Sequence, residues 1–314
     1  MESHRVARRR RARSSRSRRV LSAVLASAVV VGGTAAGTVY VRAHADGGDV
    51  SSQSSVTPSA SASASREASV EPAAEPSDDR DALLEKAMRA VAVEHGADVA
   101  VAVLDLDSGD SARYGDGAFD TASIVKVDIL AALLLRAQDA DRRLTAQEKA
   151  YAAAMIEDSD NDSASALWTA IGRADGLARA NKRFGLTDTT GGDGPLWGLT
   201  QTTADDQLTL LQQVFGDGSE LTDASRTYLQ GLMGDIAADQ SWGVSAAADD
   251  AGWALKNGWL ARSTTGLWDV NSIGRITADG RTYLVATLSN GNSTKERGIS
   301  LVEAAARAAV SAFA

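Results

Sequence analysis

The spacing of apolar and polar positions changes character several times along the chain. Over residues 81–94, Leu83, Leu84, Ala87, Met88 and Val91 fall on one stripe with a helical period. The next stretch, "ADVAVAVLDLDSGDSARYG", alternates and breaks at residues 107–110, the pattern of a β-hairpin. Residues 120–137 read as a long buried helix, and residues 145–156 and 163–172 as further helices. Residues 188–201 are a glycine-rich loop, after which helical periods return over 203–215 and 221–235. "GWALKNGWL", "LWDVNSIGRIT" and "RTYLVATLSN" then read as three strands, the last two joined by an Ala278-Asp279-Gly280 turn. Residues 300–314 close the chain as an amphipathic helix. Strands come from both chain ends and helices from the middle. The predicted fold class is therefore α+β, two-lobed: one antiparallel five-stranded sheet flanked by helices, plus an all-helical lobe.

Two upstream stretches fit neither lobe. Residues 1–45 hold ten arginines against one acid, Glu2, and include 22 consecutive uncharged residues from Val20 to Val41. As a helix that run spans about 33 Å, enough to cross a bilayer, and the arginines before it predict a cytoplasmic N-terminus. Ala43-His44-Ala45 has the small-x-small form of a signal-peptidase site, so a retained anchor and a cleaved signal peptide both fit. Residues 46–78, rich in Ser, Ala and Pro, read as a disordered linker. The expected division is 1–45 anchor or signal, 46–78 linker and 79–314 folded domain. The domain is then extracytoplasmic, either membrane-anchored or secreted after cleavage near Ala45, and a monomer.

Charge narrows the partners. The net charge of −9 hides a basic N-terminus and an acidic remainder of 22 Lys+Arg against 40 Asp+Glu. Nucleic acid is not an expected partner, because neutralising phosphates needs a basic face. There is no cysteine, which removes disulfides, thiolate metal sites and thiol nucleophiles together. The only histidines are His4, His44 and His95, so a Ser-His-Asp triad would have to run through His95, which sits at the end of the first helix where it complements the dipole. Neither a metal nor a cofactor is expected.

Candidate chemistry sits in three short motifs. Ser123 and Lys126 stand three apart near the start of an apolar helix, on one face. A serine there meets free N–H groups and the positive dipole end, and a desolvated lysine can act as a base. A capping serine followed by a solvent-reaching lysine is the competing reading. Ser159-Asp160-Asn161 lies between two helical stretches and reads equally as turn residues at a helix start. Lys256-Asn257-Gly258-Trp259 lies in an otherwise apolar strand, where the lysine reads alone as a solvated edge residue.

Taken in order, S-x-x-K at a helix start, S-D-N in a helical lobe and K-x-G on a C-terminal strand resemble the class A β-lactamase and penicillin-binding family of serine acyl-transferases. "SDNDSASALW" and "DQSWGV" add to the resemblance, which covers the whole of 79–314. It implies a β-lactamase/transpeptidase-like fold acting on a small-molecule β-lactam or a peptidoglycan peptide. Ser123 would be acylated and Lys126 would take its proton. Ser159 would bridge toward the leaving group, and Asn161 would hold a substrate amide. Lys256 would supply positive charge, and the N–H groups of Ser123 and Trp259 would form the oxyanion hole. Asn257, Gly258 and Trp259 would line the substrate side, and Asp160 would pin its loop.

The pattern breaks in three places. The glutamate that activates the deacylating water in class A enzymes has no counterpart, since residues 162–219 hold no glutamate and offer only Asp188 and Asp193 in the equivalent loop. Asn257 replaces the hydroxyl residue of K-[ST]-G, with bulky Trp259 after it. The segment between Ser123 and Ser159 is short, which opens one lip of the cleft. These departures predict slow deacylation of β-lactams. They also support an alternative, a catalytically silent wall-binding or sensor module on the same fold.

Overall fold

The computed structural model describes residues 79–314. The arginine-rich start, the apolar segment and the linker read over 1–78 lie outside the described residues. Five strands form one antiparallel sheet: β1 (Asp98–Asp105), β2 (Ser111–Tyr114), β5 (Trp253–Ala261), β6 (Trp268–Ala278) and β7 (Arg281–Asn292), in the order β2-β1-β7-β6-β5. The first strand of the chain thus pairs with the last, Val101 opposite Thr287.

Both faces of this sheet are covered. Along β1, Ala100, Ala102 and Leu104 enter one core while Val99, Val101 and Val103 enter the other. A strand with two buried faces reads as a continuous apolar run, as "VAVAVL" does. One face carries α1 (Arg80–Met88) and α8 (Lys295–Ser311), whose Leu84, Val302 and Ala305 are fully buried. The other supports the helical lobe: α2 (Val125–Asp139), α3 (Ala146–Glu157), α4 (Asn161–Ile171), α5 (Arg173–Phe184), α6 (Ala204–Phe215) and α7 (Asp223–Gly234). The β6–β7 turn holds Asp279 and Gly280 at φ of 50° and 75°, the left-handed pair of a type I′ hairpin.

Three expectations are corrected, and one helix, α5, is added. α1 stops at Met88, short of residue 94. α8 begins at Lys295, five residues before the apolar stripe, because the Thr294 hydroxyl accepts from the Arg297 N–H and caps it there. α5 carries no helix signal in "RADGLARANKRF", since charges and Gly176 mask its stripe of Leu177, Ala180 and Phe184. The glycine is steric: a β-carbon at Gly176 would lie 1.8 Å from the Ile171 carbonyl oxygen. The expected helix over 120–137 is three pieces. Asp120 belongs to β3 (Phe119–Asp120), paired with β4 (Gln201–Thr202); residues 122–124 form a 3₁₀ turn; α2 follows. Ala122 at φ 48° makes the break. Among the described residues, no helix is long and apolar enough to cross a membrane.

Candidate active site

Ser123 sits in the 3₁₀ turn before α2 rather than in the helix's own first turn. That turn is clamped from two sides. The Thr121 N–H donates to the Thr200 carbonyl at 2.8 Å. From β6, the fully buried Asn271 amide donates to the Asp120 and Thr121 carbonyls at 2.8 and 3.1 Å. From β5, Gly258 presses directly against the turn: a β-carbon there would lie 2.7 Å from the Ser123 nitrogen and 2.8 Å from the Ile124 nitrogen. The glycine of K-x-G therefore exists to let a strand touch the backbone of the serine turn. Gly258 and Ser123 are brought together as the motif order implied.

Ser159 lies between α3 and α4 with a left-handed backbone, φ 57°, which a non-glycine residue adopts at a cost of about 1 kcal/mol or more. Asp160 is the N-cap of α4; its carboxylate accepts from the Ser163 N–H at 2.7 Å. Capping and site construction are thus two jobs of one tripeptide: Asp160 fixes the start of the helix, and Ser159 and Asn161 on either side turn inward.

The two lysines converge on Ser159. Lys126 Nζ donates to Ser159 Oγ at 3.1 Å, to the Ser159 carbonyl at 2.7 Å and to Asn161 Oδ1 at 2.8 Å. Lys256 Nζ lies 3.1 Å from the same Ser159 Oγ and 3.1 Å from the Asn257 carbonyl, with Gln240 Oε1 at 3.5 Å. Both lysines have no exposed surface, so Lys256 is not the solvated edge residue its strand context allowed. Burial lowers the Lys126 ammonium to about 7, against a smaller opposite pull from Asp160. Lys256 is also pushed down, first by burial and then by the charge of Lys126. At neutral pH the pair cannot hold both protons comfortably, and the serine hydroxyl between them is placed to pass one.

The remaining residues fall differently. Asn257 is 1% exposed and its amide donates to the Gln240 and Trp242 carbonyls at 2.7 and 2.9 Å, bracing the "DQSWGV" segment. Trp259 packs on Trp242, centroids 5.9 Å apart, with Lys295 Nζ 3.9 Å above its ring. Asp188 and Asp193 are exposed, and neither contacts Lys126. The loop places a tryptophan there instead: the ring of Trp197 lies 4.9 Å from Lys126 Nζ, pinned by its indole N–H to Ser165 Oγ at 3.1 Å. Asn271 and Gln240 escaped sequence reading. Their signal was faint: a polar residue in an apolar strand, and one glutamine inside a segment noted only for its resemblance. No group of three or more His, Cys, Asp or Glu able to hold a metal occurs among the described residues.

The sequence matches the model of the Beta-lactamase enzyme family over residues 83–150 and 141–313. Solved structures similar to it include PBP-A, at 23% identity and a TM-score of 0.63, covering 74% of this chain and 96% of that one. A PBP-A mutant solved as an acyl-enzyme complex with penicillin G is similar at 22% identity and TM-score 0.64, with 74% and 96% covered. A β-lactamase from Xanthomonas campestris pv. campestris is similar at 22% identity and TM-score 0.58, with 73% and 95% covered. None of the curated proteins compared matches the sequence.

Proposed function

The chain belongs to the Beta-lactamase enzyme family, and from that premise we propose that it is an exported serine hydrolase acylated at Ser123, slow to release the acyl group, acting on β-lactams or on amides and esters of cell-wall peptides. One observation carries this reading: the Ser159 hydroxyl stands 3.1 Å from each of two buried ammonium groups, one of them on the helix that continues from the Ser123 turn.

Neutral Lys126 takes the proton of Ser123 Oγ, directly or through Ser159, as the oxygen attacks the substrate carbonyl. The negative oxygen of the tetrahedral intermediate faces the Ser123 and Trp259 N–H groups, donors worth about 3 kcal/mol each in comparable acyl transfers. The carbonyl C–N or C–O bond then breaks. The leaving atom takes a proton from Ser159, which is resupplied by the lysine pair. An ester on Ser123 remains. Its hydrolysis needs a base beside Lys126, and Trp197 holds that place with an indole that cannot accept a proton. The acyl-enzyme is therefore long-lived. A similar protein trapped as an acyl-enzyme with penicillin G supports β-lactams as acyl donors for this chain.

The test is incubation with a fluorescent penicillin followed by peptide mapping. The expected result is one adduct, on Ser123, with turnover of a chromogenic cephalosporin far slower than labelling. A folded protein without the adduct defeats the proposal. The inward-turned Asn257 and the Trp242–Trp259 pair favour a second reading, a silent wall-binding or sensor module. That reading requires a ligand to raise the melting temperature with no labelling of any serine.

A further inference from the structure

Given the acylation of Ser123 proposed above, we infer that the cavity between residues 195–199 and the end of β5 receives the acyl side chain of the Ser123 ester, and that Leu196 and Leu260 select acyl donors whose side chain is apolar. The cavity has a volume of about 460 Å³. Leu196, Trp197 and Leu199 line it from the loop, and Leu260 and Ala261 line it from the strand.

Its place follows from β5. Alternate residues of a strand face one side, so Lys256, Gly258 and Leu260 share a face. Lys256 Nζ lies 3.1 Å from the hydroxyl of Ser159, which serves the leaving group. Gly258 touches the serine turn, since its β-carbon would lie 2.7 Å from the Ser123 nitrogen. Leu260 stands about 7 Å farther along the strand, on the side away from Lys256. The loop closes on the same turn: a β-carbon at Gly198 would lie 4.0 Å from the Ala122 α-carbon. A substrate with its carbonyl at Ser123 and its leaving group toward Ser159 therefore directs its acyl half along β5 into this cavity.

The lining is apolar. Leu196 is 51% exposed, more than any other large apolar side chain among the described residues. Its backbone is held in place. The Leu196 N–H donates to the Asp193 carbonyl and its own carbonyl accepts from the Leu199 N–H, both at 2.9 Å. The Trp168 indole N–H ties the same loop through the Gly194 carbonyl at 2.8 Å. One exposed leucine needs no explanation, but three leucines and a tryptophan around one cavity beside a nucleophile match an apolar ligand. Arg262 is the one charged residue of the lining; it is ion-paired with Asp120 and stands 3.9 Å from Asp269. Among the described residues, the lining thus offers no unpaired charge to an acyl chain ending in an ammonium or a carboxylate. Such a chain would give up its water without gaining a partner.

Three penicillins made from 6-aminopenicillanic acid test this, carrying a hexanoyl, a 6-aminohexanoyl or a 5-carboxypentanoyl side chain. They share the nucleus and differ at the far end of the chain. The two opposite charges separate the effect of the cavity from long-range attraction to an acidic protein. The second-order rate of adduct formation on Ser123 of the full chain is followed by mass spectrometry with peptide mapping. The hexanoyl compound is expected to react about tenfold faster than either charged one, the scale of seating a few methylene groups. Leu196→Asp is expected to lower the ratio of the hexanoyl to the 6-aminohexanoyl rate by about tenfold, while Leu196→Met keeps the wild-type ratio. General damage to folding or to acylation slows both compounds and leaves that ratio unchanged. Equal rates for the three side chains, or a ratio unmoved in Leu196→Asp, overturn the inference while acylation of Ser123 stands. No Ser123 adduct with any of the three defeats acylation itself, and the inference falls with it.

Discussion

Ser159 Oγ is reached by two ammonium groups that cannot both stay charged without cost, and this sets a pH signature for single residues. Lys126 is lowered to about 7 by burial. A base works only when deprotonated, so the rate of Ser123 acylation is expected to rise about tenfold per pH unit up to about 7 and then level off. An ordinary lysine would extend the rise to about 10. Labelling rates measured from about pH 5 to 9 decide this, and a slope that continues past 8 removes Lys126 as the base. Lys126→Ala is expected to slow labelling by about 10³-fold with the circular dichroism spectrum unchanged. Asp128, two residues on, makes the opposite kind of signal. It is 1% exposed, and both its oxygens lack a hydrogen-bond partner although Asn181 lies beside it. Burial, with Asp206 adding to it, raises the carboxyl from 3.8 to about 7. The folded state thus holds a proton the unfolded state releases, and stability from this group is full below about pH 4 and lost as pH rises through about 7. Asp128→Asn removes that slope. The variant is expected to overtake the wild type in denaturant midpoint above about pH 7, and parallel pH curves for the two proteins contradict the assignment.

At the scale of elements, the site is a meeting of four segments, and what each contributes decides how far it could be read in advance. The 123–126 spacing, the cap-like 159–161 tripeptide and the strand-borne 256–258 motif are local patterns, legible in the sequence, and the fold brings them together as one candidate site. The 3₁₀ break under Ser123 is not local: Thr200, Gly258 and Asn271 impose it from 77 to 148 residues away. Nor is the placement of Trp197 on Lys126, which depends on how the loop after α5 folds back onto Ser165 of α4. Asn257 reads as a substrate-facing residue only if its strand's outer side is empty, and residues 240–242 fill it. Two predictions belong here. Gly258→Ala puts a methyl group 2.7 Å from the Ser123 nitrogen, so β5 must retreat from the turn. Labelling is expected to fall by more than about 100-fold, for a stability loss of about 1–3 kcal/mol; normal labelling would show that the strand and turn need not touch. Trp197→Glu puts a carboxylate base in the place the indole holds beside Lys126. The acyl-enzyme is expected to decay faster, seen as shorter retention of the fluorescent label, and an unchanged lifetime would show that a missing base at this position does not set the lifetime of the ester.

At the scale of the molecule, the sheet joins the two ends of the domain, and its second face depends on the last helix. β1 and β7 pair across about 180 residues of sequence, a long-range closure repaid only when both faces are covered. The helical lobe covers one. On the other, Leu301, Ala305, Ala306, Ala309 and Phe313 meet Leu84, Val101, Val103 and Val285 in one core, and Val302 is fully buried beside Leu301. Burying the three larger side chains contributes about 1.5–3 kcal/mol each and the alanines less, a sum of order 10 kcal/mol. That equals the whole stability of a typical domain. Without α8, Val101, Val103 and Val285 would also face water. A chain ending before Lys295 keeps every residue assigned to catalysis, Ser123 through Trp259, yet is expected to lose the cooperative unfolding transition and all Ser123 labelling. Loss of labelling with the transition intact would instead place α8 in the chemistry, and retention of both would show that the helical lobe and sheet hold the site without their second layer.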